Sequence, residues 1–131
     1  MIKNKMIILG GSGFLASHLV DLFERNKIKS LILDKIKKKK FSNRVKFVYG
    51  DILDKKKLLK IINPGDVVYH FAAISDLDEA NTHHLKSIEV NILGTVNVLE
   101  ACVKKKAKKI IFSSTIYARS EQGGFYSTTK L

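Results

Sequence analysis

Short apolar runs of strand length alternate along this chain with longer stretches in which apolar residues recur every three or four positions. Met6-Ile7-Ile8-Leu9 is apolar throughout, the pattern of a strand buried on both faces. Ser30 to Leu33, Val45 to Tyr49, Asp66 to Phe71 and Lys109 to Ser113 read as four further strands. From Gly13 to about Asn26, Leu15, Leu19, Leu22 and Phe23 fall at helical spacing. Asp54 reads as the cap of a helix through Ile61 and Ile62, which Asn63-Pro64-Gly65 then ends. A long helix from about Thr82 to Lys104 carries Ile88, Ile92, Val96, Leu99 and Val103 in one stripe. This alternation predicts an α/β fold, a doubly wound parallel sheet with helices on both faces. Right-handed crossovers set its strand order as 3-2-1-4-5.

Composition narrows the class. With 131 residues, 45% hydrophobic, the chain can bury a real core, and no repeat or low-complexity linker divides it, so residues 1–131 are expected to form one domain. No apolar run approaches the ~18 residues of a membrane span, and Met1 to Lys5 is too short and polar for a signal sequence. A cytoplasmic protein with no membrane partner is the expectation. Cys102 is alone, which excludes a disulfide framework or a cysteine metal cluster. The net charge of +12 points first to nucleic acid. However, 21 of the 24 cations are lysine and 3 are arginine, whereas bidentate recognition of phosphates and bases favours arginine. The lysines cluster at 37–40, 55–57 and 104–109, where solvent is expected, so they read as a solvated surface and no specific nucleic-acid partner follows.

Candidate chemistry lies near both ends. Gly11-x-Gly13-x-x-Ala16 follows a buried strand and opens a helix, the context in which glycines let the backbone approach a dinucleotide pyrophosphate. The helix N-terminus, with Phe14 and Leu15 in its first turn, adds unpaired N–H groups and a positive dipole end. A nucleotide-triphosphate loop is excluded, because no Gly-Lys-Ser/Thr follows the glycines. Asp34 closes the second strand, where a carboxylate can accept both ribose hydroxyls of an adenosine, which favours NAD. Lys35 and Lys37 keep NADP open, since either can hold a 2′-phosphate. Tyr126 precedes Lys130 by four residues, one helical turn, so an ammonium there favours a phenolate. His70 reads as a core histidine. His83 and His84, adjacent and on diverging helix sides, do not make a metal site with Asp76, Asp78 and Glu79, and no metal is expected.

Six segments in order resemble the NAD-dependent epimerase/dehydratase family, the extended short-chain dehydrogenases/reductases. They are Gly10-Gly-Ser-Gly-Phe-Leu-Ala16, Gly50-Asp51-Ile52, His70-Phe71-Ala72-Ala73, Asn91 to Ala101, Phe112-Ser-Ser-Thr115 and Tyr126-x-x-x-Lys130. The resemblance implies a Rossmann-like NAD-binding domain. Gly10, Gly13 and Ala16 would form the glycine turn, Asp51 and Ile52 would contact adenine, and Ala72 and Ala73 would let the backbone lie against the cofactor. Asn91 and Gly94 would fix helix packing. An ungapped match places Thr115 at the family's catalytic hydroxyl, with Ser113 and Ser114 as alternatives, and Ala118-Arg119-Ser120 replaces the family's Val-Tyr-Gly. The short interval from Thr115 to Tyr126 implies a trimmed loop with Gln122-Gly123-Gly124 as a compact turn.

The implied activity is hydride transfer to NAD from a sugar hydroxyl carbon. Tyr126 takes the hydroxyl proton, Lys130 lowers the tyrosine pKa, and Thr115 donates to the developing carbonyl oxygen. The implied substrate is a nucleotide sugar, the implied reaction epimerisation or a related oxidoreduction, and a second copy is a candidate partner. Dehydration is disfavoured, because Ile116 and Tyr117 follow Thr115 where family dehydratases carry Asp-Glu. The family's substrate contacts come largely from a C-terminal region, and this chain has less than half the usual length. Residues 1–131 alone are therefore expected to be catalytically silent, with Lys130 in a fraying terminus. The alternative is a non-catalytic dinucleotide-binding module or an inactive fragment.

Overall fold

The computed structural model describes residues 4–130. Its five strands are β1 (Met6–Leu9), β2 (Ser30–Asp34), β3 (Val45–Tyr49), β4 (Val67–His70) and β5 (Lys109–Phe112). They form one parallel sheet in the expected order β3-β2-β1-β4-β5. Successive residues of β1 serve opposite faces. Ile7 and Leu9 join Leu31, Leu33, Val68, Leu58 and Val98 in one core, and Ile8 joins Ile32, Ala16, Val20 and Phe23 in the other. Each fully buried Ile or Leu stabilises the sheet by about 1.5–3 kcal/mol. Both faces being covered explains why the central strands are apolar without alternation.

Helix α1 (Phe14–Arg25) runs from the glycine turn and stops at Asn26, whose side chain donates to the Leu22 carbonyl at 2.8 Å. Its buried residues are Ala16, Val20 and Phe23. Leu15 and Leu22, which sequence spacing assigns to the apolar face, are exposed. The smaller side chains bring the helix close to the sheet, and Leu15 is left over the cleft. Helix α2 (Lys55–Ile61) starts as expected: the Asp54 carboxylate accepts the Lys57 N–H at 2.9 Å.

The long helix departs most from expectation. A six-residue helix α3 (Leu77–Thr82) comes first, capped by Asp76, whose carboxylate accepts the Glu79 N–H at 2.8 Å. Helix α4 (His84–Ser87) then passes through a π-helical turn at Ile88–Leu93 into α5 (Gly94–Lys104). The wider turn shifts the helical phase. The inward positions become Ser87, Val90, Asn91, Gly94, Val98 and Ala101. The sequence stripe of Ile88, Ile92, Val96, Leu99 and Val103 faces outward, with Val103 80% exposed.

At the start of β4 the fully buried Asp66 carboxylate accepts the N–H groups of Lys5 and Asn63, both at 2.9 Å. It staples β1 to the turn before β4 instead of opening the strand. After β5 the chain makes 3₁₀ turns at Ile116–Arg119 and Glu121–Gly123 and enters helix α6 (Gly124–Lys130). Gly124 has φ +51° and ψ −140°, a backbone state that favours glycine, which accounts for the compact turn.

Candidate active site

The C-terminal ends of β1, β2 and β4 open into a cleft of about 500 Å³ between the glycine turn, Asp34, Asp51 and Tyr126. Gly10 has φ +80°, and a Cβ built on it would lie 2.7 Å from the Ala72 backbone. Only glycine permits this approach of β1's end to the loop after β4. Gly13 donates its N–H to Gly10 O at 3.1 Å and caps α1 with no side-chain acceptor. The N–H groups of Phe14, Leu15 and Ala16 precede the first helical bond, Ser17 N–H to Gly13 O at 2.9 Å. No acidic side chain occupies that first turn. The uncapped start of this 12-residue helix, facing the cleft, suits an anion such as a pyrophosphate.

Two strand-end carboxylates line the cleft beside it. Asp34 Oδ2 accepts the Ser12 N–H at 2.9 Å and Oδ1 the Ile36 N–H at 3.0 Å. Each oxygen keeps a further lone pair for a ligand hydroxyl. Asp51 Oδ1 accepts the Leu53 N–H at 3.0 Å, and its Oδ2 lies 3.5 Å from Lys35 Nζ. Gly10, Gly13, Phe14, Leu15, Asp34, Asp51, Ile52, Ala72 and Ala73 thus all line one cavity. Of the lysines that keep NADP open, Lys35 is engaged with Asp51, and Lys37 sits 5.6 Å from the Phe47 ring centroid, outside the lining. Lys38, a lysine the sequence did not single out, lines the cleft. Lys39 pairs with Asp21 and lies over Phe41, so the lysine loop is fastened to α1 as well as solvated.

The opposite wall is β5 and α6. Tyr126 lines the cleft with Ser113 and Ser114. Thr115 is not in that lining; its hydroxyl accepts the Tyr117 N–H at 3.3 Å. Burial raises the Tyr126 pKa above its ordinary value, and the Thr115 side chain opposes this in part. Lys130 is not among the groups that shift it. The Lys130 ammonium is directed to the face of Phe112, 4.1 Å from the ring centroid, and burial lowers the lysine itself to about 8. Lys130 itself is buried, 5% exposed.

Asn91 ties the two walls together, a role only the fold reveals. Its Oδ1 accepts the Ile74 N–H at 2.8 Å, and its Nδ2 donates to Ile74 O at 3.0 Å and to Thr129 Oγ1 at 2.9 Å. Thr129 in turn donates to Tyr126 O at 2.8 Å. The Asn91 carbonyl accepts the Thr95 hydroxyl at 2.6 Å, so the 2.9 Å contact to Thr95 Oγ1 makes His70 Nε2 the donor. His70 Nδ1 is then a buried acceptor without a partner among the described residues, and burial followed by the charge of Lys130 lowers its pKa to about 4.

This glycine turn, strand-end carboxylate and Tyr-x-x-x-Lys helix on a 3-2-1-4-5 sheet define a dinucleotide-dependent α/β protein. The chain belongs to the NAD dependent epimerase/dehydratase family, whose model matches residues 6–130. It is 34% identical over 120 residues to UDP-N-acetyl-alpha-D-glucosaminuronate decarboxylase of Bacillus cytotoxicus, covering 87% of this chain and 37% of that protein. It is 33% identical over 114 residues to a putative UDP-glucose 4-epimerase of Methanocaldococcus jannaschii, covering 84% of this chain and 37% of that protein. Among solved structures, UDP-glucose 4-epimerase of Thermus thermophilus in complex with NAD superposes with a TM-score of 0.83 at 26% identity, covering 96% of this chain and 47% of that chain. The chain therefore spans less than half the length of these relatives.

Proposed function

We propose that this chain is the cofactor-binding and proton-transfer part of an NAD-dependent nucleotide-sugar epimerase or related oxidoreductase. The observation that carries the reading is that the uncapped start of α1, the fastened carboxylates of Asp34 and Asp51, and Tyr126 share one cleft. Bound NAD supplies the hydride acceptor. The N–H groups at the start of α1 hold its pyrophosphate, Asp34 takes ribose hydroxyls, and Asp51 and Ile52 border the adenine. Ala72 and Ala73, lacking bulk, leave room along the cleft floor.

Tyr126 Oη is placed to take a proton from a sugar hydroxyl and later return it. A raised tyrosine pKa keeps the phenol protonated in the chain alone, so the base role requires a neighbouring positive charge. Lys130 is the cation within one helical turn. Thr115, whose side chain opposes the rise in the Tyr126 pKa, is the residue that would orient that hydroxyl and donate to a developing carbonyl oxygen. Ser113 and Ser114, which line the cleft, stand beside the substrate position and share that donor role. Residues 1–131 by themselves are expected to bind NAD without turning over a sugar.

A second copy is the proposed protein partner, meeting the outward stripe of Leu85, Ile88, Ile92, Val96, Leu99 and Val103, whose steps of three and four residues are those of helices packed side by side. Sedimentation would show a monomer–dimer equilibrium, lost in Ile92→Lys; a monomer at all concentrations would refute it. The cofactor reading is tested by titrating the chain calorimetrically with NAD and NADP. NAD binding tighter than NADP is expected, and a preference for NADP would make Lys35 or Lys38 dominant over Asp34. Turnover of UDP-glucose by residues 1–131, followed as product sugar, would refute the silence of the chain alone.

A further inference from the structure

Lys130 is a buried cation without a buried counter-ion. Among the described residues no carboxylate lies within salt-bridge reach of its ammonium. The charged groups of α3 and α4, Asp78, Glu79, His84 and Lys86, are all exposed, and so is Glu89 in the π turn. Arg119 and Glu121 of the 3₁₀ turns are exposed too. The titratable groups facing inward are Tyr117, Tyr126 and His70, and His70 is held neutral near pH 7. What the ammonium does meet is a ring face: Nζ is 4.1 Å from the Phe112 centroid, while the His70 ring lies 5.4 Å from the same centroid.

An isolated ammonium taken out of water tends to lose its proton. A ring face opposes this through the attraction of its quadrupole for a cation, and Phe112, 40% exposed as a residue, offers such a face to the buried ammonium. A carboxylate at that place would commit the ammonium's N–H donors to an ion pair. A ring does not, since it accepts no conventional hydrogen bond and leaves the donors for a polar ligand.

We propose that Phe112 is a positioning residue for Lys130, its ring face taking the place of a counter-ion and holding the ammonium charged one helical turn from Tyr126. This rests on the reading of Tyr126 and Lys130 as the proton-handling pair. β5 fixes the ring through its pairing with β4, His70 opposite Phe112, so the ammonium is anchored to the sheet and not only to the last turn of α6.

The test separates charge from packing. Phe112 is replaced by 3,4,5-trifluorophenylalanine, which keeps the ring's shape but drains its face, and separately by Phe112→Leu and Phe112→Tyr. The Lys130 titration is followed by NMR of lysine labelled at Cε and Nζ, with the signal identified by its loss in Lys130→Arg. The trifluoro and leucine chains should titrate about one unit below the parent, which lies near 8, and the tyrosine chain with the parent. Identical titration of the parent and trifluoro chains would overturn the proposal, as would equal shifts in the leucine and tyrosine chains. Titrating the same samples with NAD distinguishes the two readings. A parent that does not bind NAD removes the functional assignment, whereas the ring's effect on Lys130 is decided by the NMR titration alone.

Discussion

The two walls of the cleft are made of different materials. On the β1–α1 side the ligand-facing groups are backbone N–H donors and carboxylates already fastened to neighbouring N–H groups, as Asp34 is to Ser12 and Ile36. On the β5–α6 side they are buried titratable side chains held from a distance: Lys130 by Phe112, and Tyr126 on an α6 backbone that Asn91 fastens through Thr129. The first arrangement is fastened through backbone hydrogen bonds, which suits gripping a cofactor. The second has pKa values displaced by burial, which suits moving a proton at moderate pH and makes it sensitive to every packing change around it.

If this contrast is right, the largest single effect falls on the first wall. Gly13→Val should abolish NAD binding, at least 100-fold or about 3 kcal/mol, with circular dichroism nearly unchanged, because the branched side chain fills the pyrophosphate path. Unchanged calorimetric affinity would break the assignment of that wall. Asn91→Ala should act on the other wall, lowering unfolding stability by about 2–3 kcal/mol in urea titrations, since three hydrogen bonds vanish and Ile74 and Thr129 lose partners. A change below about 0.5 kcal/mol would show that the walls are not linked through Asn91.

Asp34→Ala should weaken NAD by about tenfold and erase its advantage over NADP, through loss of the ribose acceptor and of the Ser12 and Ile36 bonds. Retained preference for NAD would move discrimination elsewhere.

The remaining effects are in pH dependence. Lys130 titrates near 8 when folded and near 10.5 when unfolded, so between these values the unfolded chain binds the extra proton and stability rises with pH. Lys130→Met should remove that rise between pH 8 and 9. Higher pH is less informative, because Cys102, raised from 9 to about 11 by burial, makes stability fall there. His70, near 4 folded against 6.5, makes stability fall as pH drops from 6.5 to 4, and His70→Gln should flatten that limb. Identical pH–stability curves for parent and variants would mean that these groups are solvated.

The β1–α1 wall was legible residue by residue. The glycine turn, Asp34 after β2, Asp51 after β3 and Ala72-Ala73 after β4 all lie at strand ends, so knowing the strands places the residues on one rim. The trimmed turn at Gly123-Gly124 and the Asp54 cap were equally local. The second wall was legible as residue types but not as an arrangement. Tyr126-x-x-x-Lys130 told of a shared helical face, yet not that the ammonium would turn to Phe112. The stripe from Ile88 to Val103 suggested one regular helix, and the π turn put that stripe outside and Asn91 inside.

Alternating apolar runs, turn residues and the handedness of crossovers determined the parallel sheet and its order by themselves, because these rules act between residues close in sequence or through a chirality common to all chains. Tertiary structure alone decided which polar groups are stripped of water, which partner each finds and so where each titrates. Burial and charge act through space, and Phe112 meets Lys130, or Asn91 meets Thr129, only after the sheet has brought distant segments together.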